Sequence, residues 1–325
     1  MLLVFLLFFV TNASFSTVYL LDIYSELSLV DKYTWNIPTI RTGIQLKISF
    51  TNMSEILARE ANASSQRIKT PPKASAIPTP FSYSPSDDGT DENLLILLHG
   101  LGDTHTPFFK LGRQLKLPQT ATLALRAPEN IPYLYEEAYQ WYPSFDDLGE
   151  LIVRPNPTSA LEILSKVLNH LTEDCAWPSD RIHFFGFAQG GSLALEFGIK
   201  FWRQQTEKRI SDSDAPNSSQ NLSLGSIVSV SGPLLSYPTL SSLSSTPVIA
   251  IYRPPPAEPS LSPGDLTALK KAYSSVKEVK LGAKGPGMPA SREEWEPIMR
   301  FWSERLGRRQ VEGLYEVMSG MAPLK

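Results

Sequence analysis

Cysteine is almost absent from this chain. Cys175 is the only one in 325 residues, so an intramolecular disulfide is impossible and nothing requires an oxidising compartment. The paired-cysteine and H-E-x-x-H spacings that hold zinc are missing, and Gly285-Pro286-Gly287 lacks the flanking strand and helix of a phosphate loop. No metal and no cofactor is therefore expected. An excess of one charge is missing too: 30 Lys and Arg stand interspersed against 33 Asp and Glu, for a net charge of -3. That excludes the electrostatic footprint of a nucleic-acid or anionic-membrane partner. Internal repeats are absent. Histidine is scarce, and its placement matters below: His99, His105, His170 and His183 are all four.

What is present begins with a contradictory amino terminus. Leu2 to Val10 is an apolar run followed by Thr11-Asn12-Ala13-Ser14, in the manner of a signal-peptide core and cleavage site, but it lacks a basic lead-in and is too short to span a bilayer. Sequons begin at Asn12, Asn52, Asn62, Asn217 and Asn221, a number that a Ser-rich chain also produces by chance. A start of translation at Met53 is the competing reading. Residues 1–52 are thus an apolar leader, signal-like or an artefact of gene prediction, and the location is cytoplasmic, or secreted if 1–14 is a real signal. Residues 53–91, rich in Ser, Pro and Thr, read as a disordered linker.

From residue 92 the pattern changes. Leu94 to Leu98 is a continuous apolar run, as in a parallel strand covered on both faces, and it ends in His99-Gly100-Leu101-Gly102-Asp103. Helix follows around 108–115, strand at 121–127, and after a long loop containing Trp141 to Asp146 a helix opens with Ser159 and Glu162 as a capping box. Strand 182–187, helix from about 189 to 208, a polar insertion at 209–222 and strands 227–230 and 248–252 come next. Helix 265–274, strand 276–281 and a last helix capped by Ser291 complete the pattern, with Trp295, Ile298, Met299, Trp302 and Leu306 as its buried stripe and Pro297 as a kink. Strands alternating with helices predict an α/β fold with a mostly parallel central sheet and helices on both faces. Residues 92–307 form that domain and 308–325 a tail.

The stretch Gly186-Phe187-Ala188-Gln189-Gly190-Gly191 ends a buried strand and opens a helix, the form of a nucleophile elbow with alanine where the serine stands. Together with His99 to Asp103 and Trp141 to Asp146, it resembles the phospholipase/carboxylesterase family of α/β hydrolases, which includes acyl-protein thioesterases. The resemblance covers roughly residues 92–307, and Tyr142, Pro143 and Ser144 interrupt the family's W-F-D segment. It implies an oxyanion hole built from the backbone N–H groups of Leu101 and Gln189. It also implies a nucleophile at Ala188, an acid near Pro256, where only Glu258 is close, and a base at Ala290 in Gly287-Met288-Pro289-Ala290-Ser291. None of these three can perform its role, and no histidine follows the elbow, so no ordinary triad can be assembled. Loss of the serine or histidine costs on the order of a million-fold in kcat, about 8 kcal/mol of transition-state stabilisation.

Substitutes are poor. Ser192 lies a turn into the helix and is read as bonding to local backbone. Cys175 sits at the wrong edge of the sheet and reads as core. His170 reads as a helix-surface residue and His183 as strand packing. His99, Asp103, His105 and Trp141 are candidate pocket residues, with Asp103 also a possible helix cap. The resemblance therefore implies a catalytically defective hydrolase-family protein that binds an acyl ligand or a lipidated protein. The alternatives are an active ester or thioester hydrolase with rearranged catalytic residues, and a structural protein whose pocket has collapsed.

Overall fold

The computed structural model describes residues 68–131, 137–146, 148–211, 223–255, 260–283, 285 and 287–309. The leader, the start at Met53, the five sequons, residues 212–222 of the insertion, Pro256 with Glu258 and the chain from 310 onward lie outside them. Along the chain run β1 (Phe81–Ser84), β2 (Asn93–Leu98), α1 (His105–Gln114), β3 (Thr120–Leu125), β4 (Glu129–Asn130), β5 (Tyr139–Gln140) and α2 (Thr158–Glu173). They are followed by β6 (Ile182–Phe187), α3 (Gln189–Ser211), β7 (Ser226–Val230), β8 (Val248–Tyr252), α4 (Pro263–Ala272), β9 (Val276–Lys280) and α5 (Arg292–Arg305).

Seven strands make one sheet in the order β1-β3-β2-β6-β7-β8-β9. Only β1 runs antiparallel to its neighbour. The apolar runs explain the centre: every residue of β2, β3 and β7 is buried, and alternate side chains serve opposite faces. Leu94, Ile96 and Leu98 join Leu164 and Leu171 of α2 and Leu195 and Phe197 of α3 in one core. Leu95 and Leu97 join Phe108 of α1 and Ile298, Phe301 and Trp302 of α5 in the other. Each such aliphatic side chain contributes about 1.5–3 kcal/mol by leaving water.

Three local expectations are corrected. Residues 68–91 are not a disordered linker: Phe81 to Ser84 pairs with β3, from Phe81↔Leu125 to Ser84↔Thr122. Asp91 also ties this segment down, accepting from Ser86 N at 2.8 Å and Lys69 N at 2.9 Å. The Ser159–Glu162 box does not form, because α2 starts at Thr158 and Asn156 Oδ1 already accepts from Thr158 N and Oγ1 at 3.1 and 2.6 Å. In α5, Met299 faces solvent and Phe301 takes its place in the core. The Ser291 cap is as expected, accepting from Glu294 N.

Candidate functional site

The parallel strands end along one edge, and the sharpest turn on that edge joins β6 to α3. Ala188, the single residue between them, has φ +47°, a left-handed conformation that costs a residue with a Cβ about 1–3 kcal/mol. Close packing enforces it. A Cβ on Gly186 would lie 2.2 Å from Gly190 O, and one on Gly190 2.3 Å from Leu98 O. Ala188 N donates to Val230 O at 2.8 Å, and Ser192 N closes the first helical turn on Ala188 O at 3.0 Å. The elbow is thus fully built, with a methyl group at its tip.

Gln189 does more than supply a backbone donor. Its buried Oε1 accepts from Trp141 N at 3.0 Å, while Nε2 donates to Tyr142 O at 2.9 Å and Ser144 Oγ at 2.7 Å. This side chain pins the Trp141 segment to the elbow. Beyond Ser144 the segment turns back on itself through a Phe145↔Leu151 bridge, and Asp146 Oδ1 accepts from Leu148 N and Glu150 N, both at 2.9 Å. Phe145, Leu148 and Leu151 on this hairpin, and Leu101 on the β2–α1 loop, are exposed. Among the described residues no backbone acceptor takes the N–H of Leu101 or Gln189.

Two expected pocket residues prove structural. His99 is buried, with Nε2 accepting from Ala127 N at 2.9 Å. Its Nδ1–H must therefore donate to Gly100 O at 2.7 Å, and burial lowers its pKa to about 4. Trp141 is fully buried and donates its Nε1–H to His99 O at 2.9 Å. Asp103 and His105 remain half-buried at the edge. Asp103 Oδ1 accepts from Thr104 N at 2.7 Å, and the N-cap of α1 is Thr104, not Asp103. Ser192 is buried beside the Tyr142 phenol, whose pKa burial pushes up to about 12.

The remaining candidates are remote or absent. His170 is buried rather than on the surface, because residues 68–77 cover it: Nε2 accepts from Lys73 N at 3.0 Å and Nδ1 meets Asp174 Oδ2 at 2.7 Å. Cys175 lies beside it, Sγ 3.7 Å from Nε2, its thiol pKa raised by burial. His183 is fully buried in β6 against Ser226 Oγ at 2.8 Å. Ala290 N donates to Glu294 Oε2 at 2.8 Å. That carboxylate is held bidentately by the buried Arg253 guanidinium, Nη1 to Oε1 at 2.7 Å and Nη2 to Oε2 at 2.8 Å. The hydrogen bond from Arg253 is the main reason Glu294 stays ionised to lower pH than usual. An ion pair thus fastens the end of β8 to the start of α5. Sequence reasoning missed it, since no local pattern links residues this far apart.

It also missed Ser231, the register neighbour of Ala188, given that Phe187 pairs with Val230. Ser231 too is left-handed, at φ +57°, and its buried hydroxyl has no partner. The Ser-Gly punctuation after an apolar strand was the available signal. A separate cavity of about 400 Å³ lies between α2 and the far half of α3, above Phe197 and Phe201, its lining on α3 roughly 14–35 Å along the helix from Ala188 by helical rise.

The buried histidines predict an acid-sensitive fold. Burial depresses His99 to about 4 and His183 to about 3, against an unfolded value near 6.5. Between those limits the unfolded chain binds more protons than the native one, so stability is full above pH 6.5 and falls as pH drops through the window. A urea midpoint series from pH 7 to 4 is expected to show a loss of the order of 3 kcal/mol from His99 alone. A flat profile would contradict the buried neutral assignment.

With this geometry in hand, comparisons place the chain. The profile of the phospholipase/carboxylesterase family matches residues 84–208. An uncharacterized hydrolase of Mycosarcoma maydis is 40% identical over 76% of this chain and 91% of its own length. One from Schizosaccharomyces pombe is 34% identical over 33% of this chain and 47% of its own. In fold, the chain resembles esterase PE8, with TM-score 0.54 and 20% identity over 69% of this chain and 98% of that one. It also resembles Zea mays acyl-protein thioesterase 2, with TM-score 0.53 and 20% identity over 70% and 100%. Among the described residues no helix is long and apolar enough to cross a membrane. The chain belongs to the phospholipase/carboxylesterase family of α/β hydrolases.

Proposed function

We propose that this protein is a catalytically silent member of its family that binds an acyl ligand at the elbow. The observation that carries the reading is Ala188: the turn that would present a nucleophile is held at φ +47° but carries no hydroxyl. Covalent acyl transfer needs a nucleophile within hydrogen-bond reach of a base oriented by a third group. Among the described residues around Ala188 that set does not assemble. Ser192 is buried beside Tyr142, Ser231 has no hydrogen-bond partner among the described residues, and His99 has both ring nitrogens committed.

The acyl-ligand half rests on the rim and on two free donors. Phe145, Leu148 and Leu151 expose apolar surface on a segment that Gln189 ties to the elbow, and Leu101 does so on the β2–α1 loop. The N–H groups of Leu101 and Gln189 are the oxyanion hole in this reading, and backbone donors outlast the loss of the serine side chain. A ligand carbonyl held there gains binding without turnover.

The full-length protein is expected to leave p-nitrophenyl butyrate and an octanoyl thioester at the buffer rate while retaining a fluorescent fatty-acid analogue. Efficient turnover would end the silent-enzyme half of the proposal. Failure of the analogue to bind would end the acyl-ligand half and favour a protein-interaction role.

A further inference from the structure

One cation at the strand-end edge makes no ion pair among the described residues. Arg126 follows the last residue of β3, and Leu125 pairs with Leu98, so Arg126 stands beside His99 at the end of β2. Its carbonyl accepts from Thr79 Oγ1 at 2.6 Å and its N–H donates to Pro80 O at 2.9 Å, which fixes the base of the side chain. The guanidinium lies over the Tyr139 ring, 4.2 Å from the centroid. Tyr139 is itself locked to the β2–α1 loop through an Asp103↔Tyr139 bridge and the Gly102 N to Tyr139 O bond of 3.0 Å. Two residues further on, this loop delivers His105.

Two polar atoms of this cluster are unsatisfied. Arg126 Nε and His105 Nδ1 are both buried without a hydrogen-bond partner, and Arg126 makes no ion pair among the described residues. A buried orphan donor costs about 1–3 kcal/mol, more on a charged group, so Arg126 Nε demands an acceptor, and His105 Nδ1 adds a second donor in the tautomer that carries its proton there. We propose that Arg126, with His105 beside it, forms a carboxylate-binding subsite at the C-terminal edge of the sheet, filled by a ligand carrying a single carboxylate.

The choice of carboxylate follows from geometry and charge. Stacking on Tyr139 leaves the edge of the guanidinium, Nε with an Nη, as a planar fork that matches two carboxylate oxygens. The site holds one full positive charge, since burial and the Arg126 charge together favour the neutral form of His105. The Asp103 carboxylate stands close by, its Oδ1 already accepting from Thr104 N. A monoanion is suited to that balance and a dianionic phosphate is not. The subsite is two strand positions from Ala188, about 10 Å at ordinary strand spacing. It therefore deepens the acyl-ligand reading by giving the ligand a second, acidic end, but it stands on different residues and is tested separately.

The test is a titration of the full-length protein with sodium acetate and, in parallel, with neutral acetamide. The Arg126 Nε–H and His105 ring resonances are the readout. Acetate is expected to shift both saturably and acetamide neither. In Arg126→Met the response of His105 is expected to weaken about tenfold or more, the scale for losing one member of a desolvated charge pair. Arg126→Lys, which keeps the charge and loses the fork, is expected to fall between and covers failure of the methionine variant to fold. Equal shifts with acetate and acetamide, an unchanged acetate response in either variant, or an Nε–H that contacts only an ordered water would overturn the proposal. Binding of a neutral fluorescent acyl methyl ester, which has no carboxylate for Arg126, reports on the elbow alone, so the two ideas fail separately.

Discussion

Restoring the serine and the histidine together is expected to give measurable but weak hydrolysis, about a hundredfold over the natural protein. The figure follows from how triads fail: loss of serine or histidine costs about 2 × 10⁶ in kcat, and loss of the acid alone about 3 × 10⁴. Ala188→Ser by itself supplies a hydroxyl with no base and is expected to stay at the background rate. Ala188→Ser with Ala290→His supplies both but still lacks an acid among the described residues. Glu294, four residues from the base position, cannot stand in, because both its oxygens are tied to Arg253. The buried guanidinium also disfavours a second cation nearby, whereas the triad acid works by stabilising an imidazolium. p-Nitrophenyl butyrate turnover by the two variants checks this. Activity from Ala188→Ser alone would mean that a base other than residue 290 reaches the elbow, and His105 is then the first residue to replace. Rates near those of a full triad would mean that an acid is present after all.

Much of the fold was legible because its central strands are unbroken apolar runs. Leu94 to Leu98 and Ile227 to Val230 admit few alternatives once both faces are buried. β1 was hidden because half-buried Phe81 and Tyr83 alternate with serines inside a proline-rich stretch whose composition argues for disorder. The Ser159 box was a correct local pattern overridden by a competitor, Asn156, three residues upstream. At the site, Ala188 and Ala290 could be read directly, since an absent side chain shows in the sequence. The positive features could not. Arg253 with Glu294, Tyr142 with Ser192, and Arg126 over Tyr139 each join residues far apart in the chain, and only strand order brings them together. His170 was assigned to the surface for the same reason: the segment that covers it, residues 68–77, was read as a linker.

Gly190→Ala is expected to be severely damaging, with a loss above about 4 kcal/mol, beyond the usual range for point changes. The added Cβ would stand 2.3 Å from Leu98 O and 2.6 Å from His99 O. Both are backbone atoms of the central strand and its exit, so no rotamer change relieves the clash, and either β2 or α3 must move. Gly282→Ala is the control: nothing lies within 4 Å of its Cβ position and its φ is not positive, so a change within about 0.5 kcal/mol is expected. Thermal unfolding separates the two, at roughly 2–4 °C per kcal/mol for a domain of this size. The comparison bears on why an elbow persists where its nucleophile is absent. Gly186 and Gly190 let α3 start directly against β2 and β6, and that contact carries the packing of Leu195 and Phe197 into the core. If Gly190→Ala unfolds the protein, the left-handed turn at Ala188 is explained by packing alone. If it is tolerated, the turn is not held by packing, and the strain at Ala188 points instead to a ligand that needs the N–H of Gln189 presented in this way.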